Sequence, residues 1–397
     1  MNRDDFPILK TGIIYLDNAA TTLKPQIMID KTVEYYKEYS ANAHRGDYDI
    51  SLRVDDMFIS TRKIVKELIN AKDEKEIVFT SGTTDSLNKI VFGYFKHQLK
   101  EGDEILVTKS EHASLLLPWF ELADELKLNI NYIELDNDYK IDINNVKKVI
   151  SDKTRVICLS QVTNVIGDIR PIDEITRIAH ENNILLVVDG AQSVPHMKID
   201  VQKSNIDFLA FSGHKLLGPT GIGVLYGKQE LLNKMHPTNF GGGMNSAFST
   251  NRDRLYREIP YKLEAGTPNV AGVIGLYAAT KYLLDLGLDK IVDYESKLRK
   301  YTIEKLSKIP ELIIYNPRSE TGIVTINMKD IFAQDLAIYL NKYNICVRSG
   351  SHCAKILANE IGVKNTCRIS LYFYNTYEEI DKLCEVLSNP NLKEEII

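Results

Sequence analysis

The segment SGHKLLGPTGIG at 212–223 sets a lysine just after an apolar run, 208–211, that reads as a buried strand. An amine in that position loses hydration and its ammonium form becomes costly, so Lys215 is either paired or does chemistry. As a free amine it could condense with a carbonyl. Asp189 closes a second such run, ILLVV, which puts a carboxylate at the edge of a sheet where ligands gather. Taken singly, each has an ordinary explanation: a carboxylate paired with an arginine, or a lysine whose amine snorkels to water. Together with Ser212 and His214 they match what pyridoxal 5'-phosphate requires. That cofactor needs a carboxylate opposite its ring nitrogen, an amine for its carbonyl and small donors for its phosphate.

A phosphate cradle is available in SGTT at 81–84, between the apolar run EIVFT and an amphipathic segment at 85–97. Backbone N–H groups at the start of that helix, with the hydroxyls of Thr83 and Thr84, make an anion site, although an ordinary helix cap would look the same. The spacing GxxxxGK[ST] of a nucleotide-binding loop is absent. His112 follows the run EILVT and could stack on a flat ring, or could be a surface loop histidine. Arg368 begins an otherwise apolar strand, where a buried guanidinium calls for a planar anion: a ligand carboxylate or a structural glutamate.

Positioning these groups takes an α/β fold. From 76 to 227, short apolar runs (EIVFT, EILVT, INYIEL, RVICLS, ILLVVD, DFLAFS, GIGVLYG) alternate with amphipathic segments, which predicts a mostly parallel sheet. The runs at 155–159 and 184–188 are apolar at nearly every position, as in strands covered on both faces. Beyond Asn239 a polar, Gly-rich stretch, GGGMNSAFSTNRDR, leads to EAGTPN and reads as a crossing between domains or an active-site loop. Helices are expected at 270–287 and 289–308, then a smaller α+β unit. In that unit Phe332, Leu336 and Leu340 fall on one helical face, as do Ile380, Leu383 and Leu387. The expected division is a large cofactor-binding domain at 16–257 and a small α+β domain made of 1–15 and 258–397.

With 397 residues, 44% hydrophobic and 26% charged, the chain can bury a large core. Net charge is -5 and basic residues are scattered, which argues against a nucleic-acid partner. No segment reads as a membrane span and the N-terminus MNRDDFPILK lacks a signal peptide's apolar core, so the cytoplasm is the expected location. Five cysteines without a CxxC pair, and no HExxH, give no metal site.

The ordered motifs YLDNAATTLKP, HRG, SGTT, SEH, TNVIGDIRP, VVDGAQSVPH, SGHKLLGPTGIGVLYG, EAGTPN, RSGSHCA and RISLYFYNT span nearly the whole chain. In these it resembles the class V aminotransferase family of pyridoxal phosphate enzymes, and more narrowly the cysteine desulfurases with a short catalytic loop and the related selenocysteine lyases. The resemblance implies an aspartate aminotransferase-like fold. It makes Lys215 the cofactor's lysine and Asp189 the partner of the pyridine nitrogen, with Asn164 and Gln192 near the phenolic oxygen and His112 on the ring. It implies Thr83, Ser212 and His214 at the phosphate, Thr267 reaching in from a second subunit of a homodimer, and Arg368, assisted by Arg348, on the substrate carboxylate. Cys353 in RSGSHCA would take sulfur from L-cysteine, leaving alanine, and hand it to an acceptor protein. Its thiolate would be favoured by His352 or Arg348, whereas Cys158, Cys346, Cys367 and Cys384 read as packed and inert.

Three positions depart from the family's short-loop pattern: Tyr48 and Ser351 where histidines are usual, and Gly243 where a glutamate is usual. They bear on substrate identity. Selenocysteine lyase and cysteine sulfinate desulfinase are therefore the rival activities, and a non-catalytic cofactor-binding regulator is a rival of another class. RSGSHCA carries no long Gly- or Ser-rich insertion, and five residues span at most roughly 17 Å, so Cys353 is expected to stay near the cofactor.

Overall fold

The computed structural model describes residues 2–43 and 46–396; His44 and Arg45 of the HRG motif lie outside the described residues. All seven apolar runs become strands of one sheet. From edge to edge these are Ile77–Thr80, Gly223–Gly227, Phe208–Ser212, Leu185–Asp189, Thr154–Ser160, Glu104–Val107 and Asn129–Tyr132. Gly223–Gly227 runs antiparallel to both neighbours, and every other pairing is parallel.

Strand alternation divides the apolar side chains between two faces. Ile157, Leu159, Leu186, Val188 and Leu209 join one core, while Val156, Cys158, Val187, Phe208 and Ala210 join the other. Burial on both faces explains why these runs are apolar throughout. The edge strand Asn129–Tyr132 is half exposed and correspondingly more polar.

The helix Val270–Leu286 packs against Gln26–Glu38 and Asp49–Ile69 in the first of these cores. Leu288–Leu306 follows it after Gly287 and leads to a second, antiparallel sheet. Its order is Leu312–Ile314, Ile323–Met328, Thr366–Ser370 and Arg348–Gly350. The helices Ala333–Asn341 and Tyr377–Leu387 share its core through Leu336, Leu340, Ile380, Leu383 and Leu387. Phe332 departs from the expected face: it is the N-cap residue, ahead of the first helical turn, and is half exposed.

Residues 14–24 tie the two sheets together. Ile14–Tyr15 pairs with Ile345–Cys346, Asp17 bridges Ser370, and Thr22 N–H donates to the His214 carbonyl. The Gly-rich stretch contains a hairpin, Asn245–Phe248 with Arg254–Tyr256, which exposes Phe248 and Leu255.

Candidate active site

Register sets the site. At the carboxyl edge of the large sheet Ser160 lies beside Asp189 and Asp189 beside Ala210, while Ser212 lies opposite Gly223 and Gly223 opposite Thr80. The residues following these strands close around a cavity of about 200 Å³ that is open to solvent. Of the residues expected at the site, Thr83, Thr84, His112, Asn164, Asp189, Gln192, Ser212, His214, Lys215, Arg348 and Arg368 line this cavity; Cys353 and Thr267 do not.

Asp189 is buried and accepts one hydrogen bond, from Ala191 N–H at 2.9 Å. Among the described residues no cation stands within ion-pair distance of it, and burial raises its carboxyl to about 6. A buried carboxylate that faces a cavity without a cation is what a protonated ring nitrogen completes. Burial lowers the Lys215 amine to about 8 against the opposing pull of Asp189, with Arg368 and Arg348 adding to the lowering. A usable fraction of free amine therefore exists near neutral pH.

His112 caps the helix Ala113–Leu126 with its Nδ1, which accepts from Ser114 N–H at 3.1 Å, so the ring proton sits on Nε2. Burial, and then Lys215, push this imidazole down to about 4, leaving a neutral ring. His214 is lowered to about 4 in the same way.

The anion cradle is assembled from two strand ends. Thr83 N–H and Oγ1 meet Ser212 Oγ at 2.7 and 2.6 Å, and Thr84 Oγ1 meets Ser114 Oγ at 2.7 Å. The helical stretch begins at Thr83 and runs through a π-helical segment, Lys89–Tyr94, to His97, two residues longer than expected at its start. Glycine at 223 is what lets the 81–83 turn lie on the sheet, since a Cβ there would stand 2.4 Å from Gly82 Cα. Gln192 and Asn164 donate from their amides to Ala19 O at 2.8 Å and His352 O at 2.7 Å.

Arg368 is buried, and its anion in this structure is Asp17 rather than a glutamate. NH2 reaches Asp17 Oδ1 at 3.1 Å, NH1 reaches the Asn164 carbonyl at 3.0 Å, and Nε has no partner among the described residues. Arg348 sits directly opposite on the neighbouring strand. Its NH2 stands 3.9 Å from Sγ of Cys353, which is exposed.

His352 and Arg348, the two groups expected to favour the thiolate, are placed differently. The His352 ring is buried and bound through Nε2 to Thr366, its Nδ1 has no hydrogen-bond partner among the described residues, and burial pushes it to about 3. Arg348 is the group that faces the sulfur. Cys158 and Cys367 are buried and Cys346 and Cys384 half-buried, all four thiols being raised by burial.

Thr267 lines a separate cavity with Ser81, Asp85, Lys89 and Asn239. Tyr48 is exposed at the N-cap of Asp49–Ile69, Gly243 turns the Gly-rich stretch with φ 87°, and Ser351 lies in the Cys353 loop. Other residues at the site lie within the quoted motifs but are given no role by sequence alone. Asp17 is one, and the fully buried pair of Arg170 with Glu111 is another; Glu111 also accepts from Ser160 N–H at 2.9 Å, bracing the loop that bears Asn164. Lys24 donates to the His214 carbonyl at 2.7 Å. Among the described residues no His, Cys, Asp and Glu cluster could hold a metal.

A mostly parallel α/β sheet whose ligand edge joins a lysine of lowered pKa, a buried carboxylate with no cation beside it among the described residues, a hydroxyl-lined anion cradle and a buried arginine defines a pyridoxal phosphate enzyme acting on amino acids. The chain belongs to the aminotransferase class-V family, whose model matches residues 14–383. It is 43% identical to a probable cysteine desulfurase of Halalkalibacterium halodurans over 96% of this chain and 95% of that one. A cysteine desulfurase of Serratia proteamaculans is 39% identical, with the same coverage of each chain. Among solved structures, an apo cysteine desulfurase from Thermococcus onnurineus superposes with TM-score 0.94 at 39% identity, covering 97% of this chain and 96% of that one. An Escherichia coli cysteine desulfurase bearing an S-sulfonic acid does so with TM-score 0.93 at 36% identity, covering 100% and 98%.

Proposed function

We propose that this chain is a homodimeric cysteine desulfurase that moves the sulfur of L-cysteine onto Cys353, releases L-alanine and passes the sulfur to an acceptor protein, for iron-sulfur clusters or related biosynthesis. The observation that carries this reading is an exposed cysteine 3.9 Å from an arginine that also lines the Lys215 and Asp189 cavity. Pyridoxal 5'-phosphate, when bound, supplies a carbonyl for the substrate amine and an electron sink for charge at Cα. Lys215 would hold it covalently, Asp189 would face its ring nitrogen, and Thr83, Ser212 and His214 would hold its phosphate.

The chain's own residues account for the remaining steps. Arg368 binds the substrate carboxylate, with Arg348 beside it, and Lys215 Nζ moves the proton at Cα. Cys353 Sγ, as thiolate, bonds to the substrate sulfur while that sulfur's bond to Cβ breaks. Cβ takes up a proton and leaves as the methyl group of alanine, so cysteine and a thiol become alanine and a persulfide without an external oxidant or reductant.

The dimer is supported by apolar side chains left exposed on two successive helices, Ile27, Val33 and Tyr36 on one and Ile50, Leu52 and Ile59 on the other. Single exposed apolar residues need no explanation, so these are weak support taken one by one, and the oligomeric state decides. Sedimentation of the purified protein tests this. Five free cysteines, one exposed, suit a reducing compartment such as the cytoplasm.

The activity is tested by mixing cofactor-loaded protein with L-cysteine and assaying alanine and protein-bound sulfur together. Both should appear; free sulfide without alanine would contradict the reading. Competition among cysteine, selenocysteine and cysteine sulfinate fixes the preferred substrate.

A further inference from the structure

Between the strand Arg348–Gly350 and the helix Lys355–Ile361, His352 and Cys353 both adopt positive φ, 50° and 59°. Residues with a Cβ enter this left-handed region at a cost, and two in succession persist only where the surroundings hold them. Backbone contacts supply part of the hold: Asn164 Nδ2 donates to the His352 carbonyl at 2.7 Å, and Ala113 N–H to the Cys353 carbonyl at 2.8 Å. The His352 ring supplies the rest. It is 2% exposed, with Nε2 at 2.9 Å from Thr366 Oγ1 and 3.2 Å from Thr366 O.

A base or cation serving the thiol needs a ring nitrogen aimed at it. Here Nε2 is taken up by Thr366, and Nδ1 is buried without a partner among the described residues. The charged groups acting on the ring are Arg368, on the same strand as Thr366, and Arg348, on the strand leading into the loop; both oppose its protonation. Thr366 and Arg368 are two residues apart on one strand, so their side chains share a face. The ring therefore fastens the nucleophile's turn to the strand that presents the buried guanidinium.

We infer that His352 is a positioning residue: its buried ring, pinned on Thr366, holds Cys353 in the left-handed turn and so sets where Sγ stands, while Arg348 is the cation that serves the thiol. The consequence for sulfur transfer rests on the desulfurase reading; the hold on the loop does not.

The test compares cofactor-loaded wild type with His352→Ala, His352→Gln and Thr366→Val. Three quantities are read: the pH profile of Cys353 alkylation by iodoacetamide, single-turnover alanine formation, and amide hydrogen exchange in the loop. The alkylation midpoint should be the same in all four proteins. Alanine formation should slow by about tenfold to a hundredfold in His352→Ala, with KM for cysteine unchanged. Glutamine, whose amide nitrogen sits where Nε2 does, should restore most of that rate, and loop exchange should be faster in the alanine variant than in the glutamine variant. A midpoint displaced by about one unit or more in both His352 variants, or equal exchange in all four proteins, would overturn the inference. Should wild type itself yield no alanine, the desulfurase reading falls, while alkylation and exchange still decide the role of the ring.

Discussion

Replacing Arg368 should weaken capture of cysteine before it alters anything else. In this structure two of its N–H groups are taken up by Asp17 and the Asn164 carbonyl, at 3.1 and 3.0 Å, and Nε has no partner among the described residues. The guanidinium N–H groups not given to Asp17 and Asn164 leave a carboxylate entering the cavity room for two charge-assisted hydrogen bonds. Each hydrogen bond to a charged group contributes about 1.5–3 kcal/mol. Water entering the space left in Arg368→Ala offsets part of the loss, so the low end applies. The expected cost is about 3 kcal/mol, or roughly 150-fold in the half-saturating cysteine concentration. Arg368→Lys keeps a charge but not the fork and should lose roughly tenfold. The assay is single-turnover alanine formation at graded cysteine concentrations, with the cofactor absorbance confirming equal loading. Asp17→Asn is the control, because it leaves the guanidinium in place and removes its competing anion. An unchanged half-saturation point in Arg368→Ala would refute the reasoning. So would an Asp17→Asn variant as impaired as Arg368→Ala, which would mean that the arginine exists to pair with Asp17.

Other perturbations separate the remaining parts of the site. Borohydride should fix the cofactor to Lys215, and peptide mapping that found it on another lysine would contradict the assignment. Cys353→Ser should still change the cofactor spectrum on adding cysteine but retain no sulfur; normal alanine output from it would rule out transfer through Cys353. Gly223→Ala puts a Cβ 2.4 Å from Gly82 Cα, and such overpacking should cost about 1–3 kcal/mol along with cofactor loading, read from thermal melts with and without pyridoxal phosphate. His352→Gln probes the buried ring through pH. The folded ring is lowered to about 3, so between the ordinary imidazole value of about 6.5 and about 3 the unfolded chain binds a proton that the folded chain does not. Wild type should therefore lose about 2 kcal/mol relative to His352→Gln as pH falls from 7 to 5, measured by urea unfolding; parallel curves would show that the ring titrates normally.

The strands were legible because a parallel sheet covered on both faces writes its strands as unbroken apolar runs, and the polar residues ending them mark the ligand edge. Asp189, Ser212 and Lys215 could be read from that alone. Pairings across the chain could not. Nothing near Glu111 announces Arg170, 59 residues away, and nothing near Arg368 announces Asp17, which the strap at 14–24 carries in from the far end of the sequence. The choice between His352 and Arg348 beside the thiol stays open in the sequence, which gives adjacency to Cys353 but not ring direction; here the ring nitrogen Nε2 lies on Thr366. The hairpin that begins in GGGMNSAFSTNRDR and ends at Tyr256 leaves no period in the sequence, since its strands are short and largely exposed, with no buried face to impose alternation. Phe332 kept the helical period yet fell outside the helix, a boundary that periodicity alone does not mark.

The central claim is that sulfur leaves cysteine by way of Cys353. The loop at 351–354 is short and fastened at both carbonyls, so a persulfide formed there unloads slowly unless an acceptor meets it. Quenched-flow measurement of alanine, with bound sulfur mapped by mass spectrometry at each time, tests this most directly. The account predicts a burst of about one alanine per subunit, matched by sulfur on Cys353, then a slow phase that a thiol reductant or acceptor protein accelerates. Linear alanine formation from the first turnover, indifferent to any acceptor and with no sulfur on Cys353, would contradict it.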